Sequence, residues 1–518
     1  MFFYEIPSIT WRTTAILALI GSIACFLFPA ETTQLTMSRS HLADKIKGGW
    51  AGQVIGCTLG GPIEHRFPSS LLPNSFKLVL SADQIASQLK NSSQIYDDLY
   101  VDMVFLDTIE KKGLNASPKD FAKALSRGQF LLHHGLQMAR HNFLAGLKPP
   151  KTGFWLNNPH ADDNDFQKTA DVIGMLAPGM PQVAVRLSDF IGHIISSGDG
   201  WYGGVYIALL YSLAFIQEDR LNLVQEALRF FPDKSAFYQV IKDVIDGYRQ
   251  NPRDWEKAWL AVEKKWGEDV GCPEGVLSPL NFEAKVNAAW VTIGLLYGNG
   301  DFDETVSITI RCGDDTDSNA ANAGGIIGAL LGYQKIPEFW KKGLKEVEQG
   351  RFGLGNLSLA EAYEANIEQA LEMVKRNGGK IKGEVIALPR PKFRSLRYEV
   401  NFDRLYPKER RRLDLRLAES KPEVTVEFEG AGFAINGSLI KNVQEDHTYI
   451  VAMVVDGRLA AAPILPAHPY LRNPTPFFKF NLRPGHHRLF MQINEPSAKA
   501  DVQLDEIIIY DWRRENRR

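Results

Sequence analysis

In the second half of the chain, a short acidic run leads directly into a long apolar stretch. Asp314, Asp315 and Asp317 stand with two hydroxyl-bearing residues within five consecutive positions. Residues 320–333, which follow after one asparagine, are almost all small or apolar. This pattern predicts a buried helix whose entering turn and first helical turn carry the acids.

This placement of the acids has two explanations. An acid at a helix N-terminus caps free backbone N–H groups and suits the helix dipole, and one Asp is enough for that. Three acids in front of an apolar helix repel one another and resist burial, and a bound cation relieves both effects. Oxygen ligands favour a hard ion such as Mg²⁺, Mn²⁺ or Ca²⁺. The spacing alone leaves a helix cap and a metal site equally open.

The composition narrows the functional classes. The chain has 518 residues, which suits roughly two to four domains. Its formal net charge of −2 argues against a nucleic-acid binder, because such proteins neutralise phosphates with an excess of basic residues. The 4 cysteines include no C-x-x-C pair, so we expect neither a thiolate zinc site nor a disulfide framework.

The N-terminus predicts a targeting segment. Residues 13–30 form a charge-free apolar run preceded by Arg12. The run is long enough for the core of a signal peptide and nearly long enough to span a bilayer. We expect residues 1–30 to be a signal peptide or an N-terminal anchor, and the protein to be exported (periplasmic, secreted or lipid-anchored at the cell surface). A buried first helix is the alternative.

The hydrophobic pattern of residues 38–376 is helical throughout. Leu42, Ile46, Trp50 and Val54, for example, recur every four residues and mark one apolar helix face. Similar segments follow one another without alternating strands between them. This part of the chain therefore predicts a large all-α domain.

The pattern changes after residue 376. Residues 377–388 are predicted to be a linker, and residues 389–518 contain segments of period two bounded by turn signals. This predicts an all-β sandwich of the jelly-roll type. Residues 482–489 resemble a hairpin of many carbohydrate-binding-like sandwiches, and a spacer domain without a ligand is the alternative.

Three further acids lie at the ends of predicted helices. Asp97 and Asp98 open a second strongly apolar segment, and Glu64 ends a glycine turn that follows the first helix. Taken alone, the pair Asp97 and Asp98 reads as a helix cap, and Glu64 reads as a solvated surface acid.

A polar loop over residues 154–166 is another candidate site. It holds Asp162, Asp163 and Asp165 beside His160. The glycine and the distal glutamate of an EF-hand are absent, which excludes that type of calcium loop.

The glycine-rich segment 197–204 is predicted to be a flexible turn, with a helix starting at residue 205. It carries Trp201 and Tyr202 beside Gly203. The sequence leaves open whether this segment is a plain connection or whether its aromatic rings stack on a planar ligand.

Together, these acidic segments resemble the ADP-ribosylglycohydrolase family, the fold of dinitrogenase reductase-activating glycohydrolases and of crystallin J1. The resemblance covers about residues 40–375 and has three parts. The family's stretches G-D-x-x-G-x-x-x-E, Thr-Asp-Asp and G-D-x-D-[ST] correspond to Gly56, Gly60 and Glu64, then Tyr96, Asp97 and Asp98, then Asp315, Asp317 and Ser318. The metal ligands that the resemblance implies are Asp97, Asp98, Asp315, Asp317 and the Ser318 hydroxyl.

The resemblance implies hydrolysis of an N- or O-glycosidic bond at the anomeric carbon of ribose, as in ADP-ribosyl-protein or ADP-ribose conjugates. It implies Mg²⁺ (or Mn²⁺) as cofactor, with two ions. Glu64 or one of Asp162, Asp163 and Asp165 would be the general acid or base. The residues implied to face the substrate are His160, Trp201, Tyr202 and Gly203.

Two positions depart from the family pattern. Cys57 replaces the usual Asp of the first stretch, and Tyr96 replaces the usual Thr of the second. The loss of the Thr hydroxyl removes one ligand, so we expect one ion to bind firmly and the second ion to bind weakly.

Export favours a second candidate function, because ADP-ribosylated proteins are mostly intracellular. An exported relative would cleave a furanoside or another glycan. A third candidate is a catalytically inactive ligand-binding protein of the same fold, with Cys57 and Tyr96 as signs of lost activity.

Overall fold

The structure is a computed structural model, and it describes residues 34–79 and 81–513. The predicted targeting segment, residues 1–30, lies outside these ranges. Within them, no helix is long and apolar enough to cross a bilayer.

The predicted all-α domain is confirmed. Its helices are α1 (Arg39–Gly60), α2 (Gln84–Asn91), α3 (Asp97–Lys112), α4 (Pro118–Ser126), α5 (His134–Leu144), α6 (Asp171–Met175), α7 (Pro181–Gly192), α8 (Gly198–Ala214), α9 (Arg220–Leu228), α10 (Ala236–Gln250), α11 (Trp255–Trp266), α12 (Ala284–Tyr297), α13 (Phe302–Arg311), α14 (Thr316–Leu331), α15 (Glu338–Val347) and α16 (Leu359–Arg376).

The first and the last helix of the helical domain each begin with a serine cap. The Ser38 hydroxyl accepts a hydrogen bond from the His41 N–H at 3.0 Å and so starts α1. Helix α16 begins with a capping box, in which Ser358 Oγ accepts from the Glu361 N–H at 3.1 Å and the Glu361 carboxylate accepts from the Ser358 N–H at 2.7 Å.

Helices α1 and α14 pack backbone against backbone. Gly48, Gly52, Gly56 and Gly60 recur every four residues and therefore lie along one face of α1. A Cβ atom at each of these positions would lie only 1.9–2.2 Å from a carbonyl oxygen of α14. Only glycine permits this approach. The contact fixes the acidic start of α14 beside the end of α1, next to Glu64.

The glycine-rich segment 197–204 is helical, so the prediction of a flexible turn was wrong. Helix α8 begins at Gly198. A Cβ atom at Gly200 would lie 2.1 Å from the Ala161 carbonyl oxygen. The glycines of this segment therefore serve close packing of a buried helix and do not provide flexibility.

The predicted linker contains two short strands. Strands β2 (Lys380–Lys382) and β3 (Val385–Ala387) join β1 (Thr36–Ser38) in an antiparallel sheet of order β1-β3-β2. Residues 389–404, which were assigned to the sandwich, contain no regular strand and run along the helical domain. There, the Leu396 N–H donates to the Phe230 carbonyl at 2.7 Å.

The C-terminal sandwich is confirmed. One antiparallel sheet has the order β10-β6-β12-β4 and the other β5-β11-β7-β8, with β9 also paired to β7. A register shift between Leu504 and Glu506 lets Ile507 face the same core as Leu504. The strands are β4 (Leu405–Leu417), β5 (Glu423–Gly430), β6 (Gly432–Lys441), β7 (Thr448–Val455), β8 (Arg458–Ala461), β9 (Ile464–Pro466), β10 (Phe477–Lys479), β11 (Gly485–Ile493) and β12 (Ala500–Trp512).

An aromatic cluster joins the sandwich to the helical domain, and both belong to one compact unit. Trp155 stacks on Phe480 with ring centroids 5.7 Å apart, and Phe402 stacks on Tyr510 at 5.9 Å. The Tyr510 hydroxyl also donates to the Gly271 carbonyl at 3.0 Å. Burial of this many large rings fixes the sandwich firmly against the helices.

Candidate active site

The starts of α3 and α14 meet at a cleft of about 430 Å³. The short 3-10 turn after α1 ends at Glu64, the start of α3 contributes Asp97, and the entry to α14 contributes Asp315 and Asp317. The complete lining is Glu64, His65, Gln94, Ile95, Asp97, His133, His134, Asn164, Lys168, Glu274, Leu280, Phe282, Asp315 and Asp317.

The acids of the three sequence motifs come together here. One carboxylate oxygen each from Asp97, Asp98 and Asp317 lie within 4.8 Å of one another, and so do oxygens of Glu64 and Asp315. These residues are far apart in the sequence. Their meeting supports the interpretation of the motifs as one site over that of separate helix caps.

Burial and mutual repulsion destabilise the charged forms of the clustered carboxyl groups. Burial raises the pKa of Asp98 well above the ordinary value, although the Lys168 ammonium opposes this, and burial followed by the Glu64 carboxylate raises the pKa of Asp317 well above it too. Burial and the Asp315 carboxylate raise the pKa of Glu64 to about 8. Asp98 Oδ2 and Asp317 Oδ1 are buried without a hydrogen-bond partner among the described residues. Unpaired buried carboxylate oxygens are costly, and a bound cation would satisfy them.

Lys168 also reaches this cluster, and the sequence reasoning missed it. Its Nζ lies 3.5 Å from Asp97 Oδ2 and 3.2 Å from Asp98 Oδ1. Burial alone would lower the pKa of Lys168, but the surrounding carboxylates, Asp97 first, raise it well above the ordinary value. The neighbouring carboxylates therefore favour the charged form of Lys168. The only signal for it in the sequence was its position three residues after Asp165, the last acid of the polar loop.

Asp315 is held in place by neutral donors. Ser318 Oγ donates to one of its oxygens at 3.1 Å, and Asn164 Nδ2 donates to the other at 2.7 Å. Asp314, by contrast, does not line the cleft. It accepts a hydrogen bond from Trp290 Nε1 at 2.9 Å and so serves the packing of α12.

Both residues that depart from the family pattern bond to the protein beside the cleft and do not line it. The Tyr96 hydroxyl forms a 2.7 Å hydrogen bond with Thr58 Oγ1, and the Tyr96 side chain is fully buried. Cys57 Sγ donates to the Ile95 carbonyl at 3.0 Å. Neither residue is placed to replace the ligand that the family has at its position.

The three acids of the polar loop are buried under the surface and do not line the cleft. Asp162 Oδ1 accepts from the Asp199 N–H at 2.7 Å, near the start of α8. Asp165 Oδ2 accepts from the Gly135 N–H at 2.8 Å. Asp163 lies 3.0 Å from His160 Nδ1. Because they are engaged in the fold, the geometry gives no support to a general acid or base among Asp162, Asp163 and Asp165.

The predicted substrate-facing residues also lie away from the cleft. His160 is buried, and its Nε2 contacts Thr475 of the sandwich at 2.8 Å. Trp201 Nε1 donates to the Ser188 carbonyl at 3.2 Å, and the Tyr202 hydroxyl donates to the Arg397 carbonyl at 2.7 Å. Trp201 and Tyr202 bond to backbone carbonyls of the protein because tertiary packing buries the start of α8. A Cβ atom at Gly203 would lie 2.8 Å from Ala284 Cβ, so this glycine is a packing position too.

An aromatic wall lines part of the cleft, next to Glu64, and no motif indicated it. The Phe282 ring lies between two histidines, with centroids 4.9 Å from His65 and 4.2 Å from His134. Burial lowers the pKa of both histidines, so these rings are neutral near pH 7. A neutral, ring-lined wall suits packing against a sugar or a planar group.

The sandwich holds a loop that lines the cleft. Arg410 of β4 pairs with Glu506 and donates from Nη1 to the carbonyl oxygens of Glu274 and Val276 at 3.1 and 2.9 Å. Glu274 lines the cleft. The β domain thus positions a cleft loop, a role that the sequence did not indicate.

The donor set fits a hard divalent cation in part. Unpaired oxygens on Asp98 and Asp317, with the Ser318 hydroxyl and Asp315 nearby, are the oxygen ligands that Mg²⁺ and Mn²⁺ prefer. The space between Asp97 and Asp98 already contains the Lys168 ammonium, which a metal ion would have to displace.

Comparison with known proteins shows the family of this chain. The model of the ADP-ribosylglycohydrolase family matches residues 38–373, which is more than half of the chain. The chain belongs to the ADP-ribosylglycohydrolase family. A solved structure described as an ADP-ribosylglycohydrolase-related protein complex has a TM-score of 0.44 and 16% sequence identity, and the match covers 64% of this chain and 99% of that one. No curated protein matches. Membership in the family supports a glycohydrolase activity, and relatives in it are typically metal-dependent.

Proposed function

We propose that the protein is a metal-dependent glycohydrolase that cleaves an N- or O-glycosidic bond at the anomeric carbon of ribose, with ADP-ribosyl conjugates as its substrate class. One observation carries the proposal: acids from three distant segments converge on one cleft, where buried oxygens of Asp98 and Asp317 lack a partner. Asp98, Asp315, Asp317 and Ser318 would hold a Mg²⁺ or Mn²⁺ ion. Such an ion supplies positive charge that orients ribose hydroxyls and a water molecule.

Glu64 is the motif acid best placed to touch a substrate. Its side chain is 33% exposed, whereas those of Asp97 and Asp98 are 8% and 0% exposed. Its Oε1 lies 3.4 Å from His65 Nε2. We assign Glu64 as the general acid or base, with one of its oxygens giving a proton to the leaving group or taking one from water.

Phe282 and its two histidine neighbours would pack against the ribose or the attached group beside Glu64. These rings would limit the access of bulk water to the anomeric carbon, which carries positive charge in an oxocarbenium-like transition state. The proposed site therefore combines the acid cluster with adjoining aromatic rings.

A hydrolysis screen tests the proposal. Purified protein with Mg²⁺ or Mn²⁺ is offered ADP-ribosyl-arginine, ADP-ribosyl-serine and aryl furanosides, and released product is quantified by chromatography. We expect turnover of at least one ADP-ribosyl conjugate, a loss of about 10²–10⁴-fold in kcat for Glu64→Gln, and unchanged kcat for the surface variant Glu338→Gln. Cleavage of furanosides alone would contradict the substrate class. Metal binding without any turnover would favour the inactive ligand-binding alternative.

A further inference from the structure

Lys168 lies where a second metal ion would have to bind. Its Nζ is within 3.5 Å of Asp97 Oδ2 and within 3.2 Å of Asp98 Oδ1. Mg²⁺ binds carboxylate oxygens at about 2.1 Å, so an ion shared by Asp97 and Asp98 would need the space of the ammonium. The two cations would also repel each other at contact distance in a poorly solvated site.

The surroundings hold the ammonium in this position. The Lys168 side chain is only 9% exposed. Its charge interacts with Asp97, Asp98, Asp165 and Asp315. A buried charge that leaves such partners is strongly destabilised, and it leaves destabilised carboxylates behind.

The two sides of the cluster differ in their supply of ligands. On the side of Asp97, the preceding residue offers no hydroxyl, because the Tyr96 phenol is bonded to Thr58 at 2.7 Å. On the other side, Asp317 Oδ1 is unpaired and the Ser318 hydroxyl is adjacent. One side has a resident ammonium and no hydroxyl from the residue before Asp97, and the other has ligand oxygens.

We propose that Lys168 replaces the second metal ion, so that this centre holds one divalent ion on the Asp317 side beside a fixed ammonium. The inference rests on the proposed function, which requires at least one bound ion. It also explains how Asp97 and Asp98 are tolerated as buried neighbours: the ammonium balances charge that two metal ions would otherwise share.

Metal stoichiometry tests this inference without measuring activity. Full-length protein is stripped with a chelator, titrated with MnCl₂ by calorimetry, and examined by electron paramagnetic resonance. We expect one Mn²⁺ per wild-type chain with a mononuclear signal. Lys168→Met, which keeps the volume and removes the charge, should bind two ions per chain with a spin-coupled signal, and adding Asp97→Asn should return the number to one.

Lys285→Met is the matched control. Lys285 is also buried and pairs with Glu283 at 3.2 Å, but it does not line the cleft. This variant should keep one ion. Two ions in the wild type would overturn the inference and leave the proposed function standing, whereas no bound ion would overturn the proposed function itself. If Lys168→Met does not fold, the wild-type number and the variant Lys168→Gln decide the question.

Discussion

The contact between α1 and α14 makes a sharp prediction for Gly56. A Cβ atom at this position would lie 1.9 Å from the Ala320 carbonyl oxygen and 2.4 Å from its carbonyl carbon. Ordinary carbon–oxygen contacts need well over 3 Å, and the obstructing atoms are backbone atoms that cannot rotate away. Gly56→Ala must therefore push the two helices apart by about 1 Å or more.

Two opposing contributions set the magnitude. Alanine gains about 1 kcal/mol over glycine in a helix interior, and forced overpacking costs about 1–3 kcal/mol or more. Because the overlap is with rigid backbone, we place the cost at the upper end, which leaves a net destabilisation of about 2 kcal/mol. The same displacement moves the start of α14, which carries the proposed ligands Asp315 and Asp317, relative to Asp98 of α3. Mn²⁺ affinity should therefore fall at least about tenfold, equal to about 1.4 kcal/mol.

Urea unfolding and Mn²⁺ calorimetry measure the two effects. Gly247→Ala is the control, because its Cβ would meet Ala258 Cβ at an ordinary 3.5 Å. That variant should be more stable than wild type by up to about 1 kcal/mol and bind Mn²⁺ normally. If Gly56→Ala were as stable as Gly247→Ala and bound Mn²⁺ equally well, the close helix contact would not be what positions the acids.

Three further predictions follow from the site. Asp317→Asn should abolish Mn²⁺ binding in calorimetry and raise the stability of the metal-free protein, because it removes a buried carboxyl group whose charged form is destabilised. A stable variant that still binds Mn²⁺ would contradict the assignment. The folded protein holds the Glu64 proton up to about pH 8 while the unfolded chain releases it near 4.5, so the stability of the metal-free protein should fall as pH rises through this window. Urea titrations across it should show a flatter profile for Glu64→Gln, and an unchanged slope would argue against the raised pKa. Arg410→Ala should speed amide exchange around Glu274 by about tenfold, because two carbonyls lose their donor; unchanged exchange there would mean that the sandwich does not hold the cleft loop.

The sequence by itself determined the fold class of each domain. Its period-four and period-two patterns depend on local backbone geometry, so they correctly predicted an all-α domain followed by a sandwich. The motifs at Asp97 and Asp315 also follow local rules, since each opens an apolar helix. These rules left a helix cap and a metal site equally open, and the family resemblance selected Glu64, Asp97 and Asp315, which the fold brings to one cleft.

Only the tertiary structure decided which side chains face the cleft. Asp163 and Lys168 lie in one short segment, yet packing against distant chain elements buries one beside His160 and directs the other to Asp97. Only the α14 carbonyl groups opposite them explain why α1 has glycines along this face, since a side chain there would clash with these groups. Side-chain direction and close backbone approach depend on contacts between residues that are far apart in the sequence. The spacing of residues within one segment does not predict these contacts.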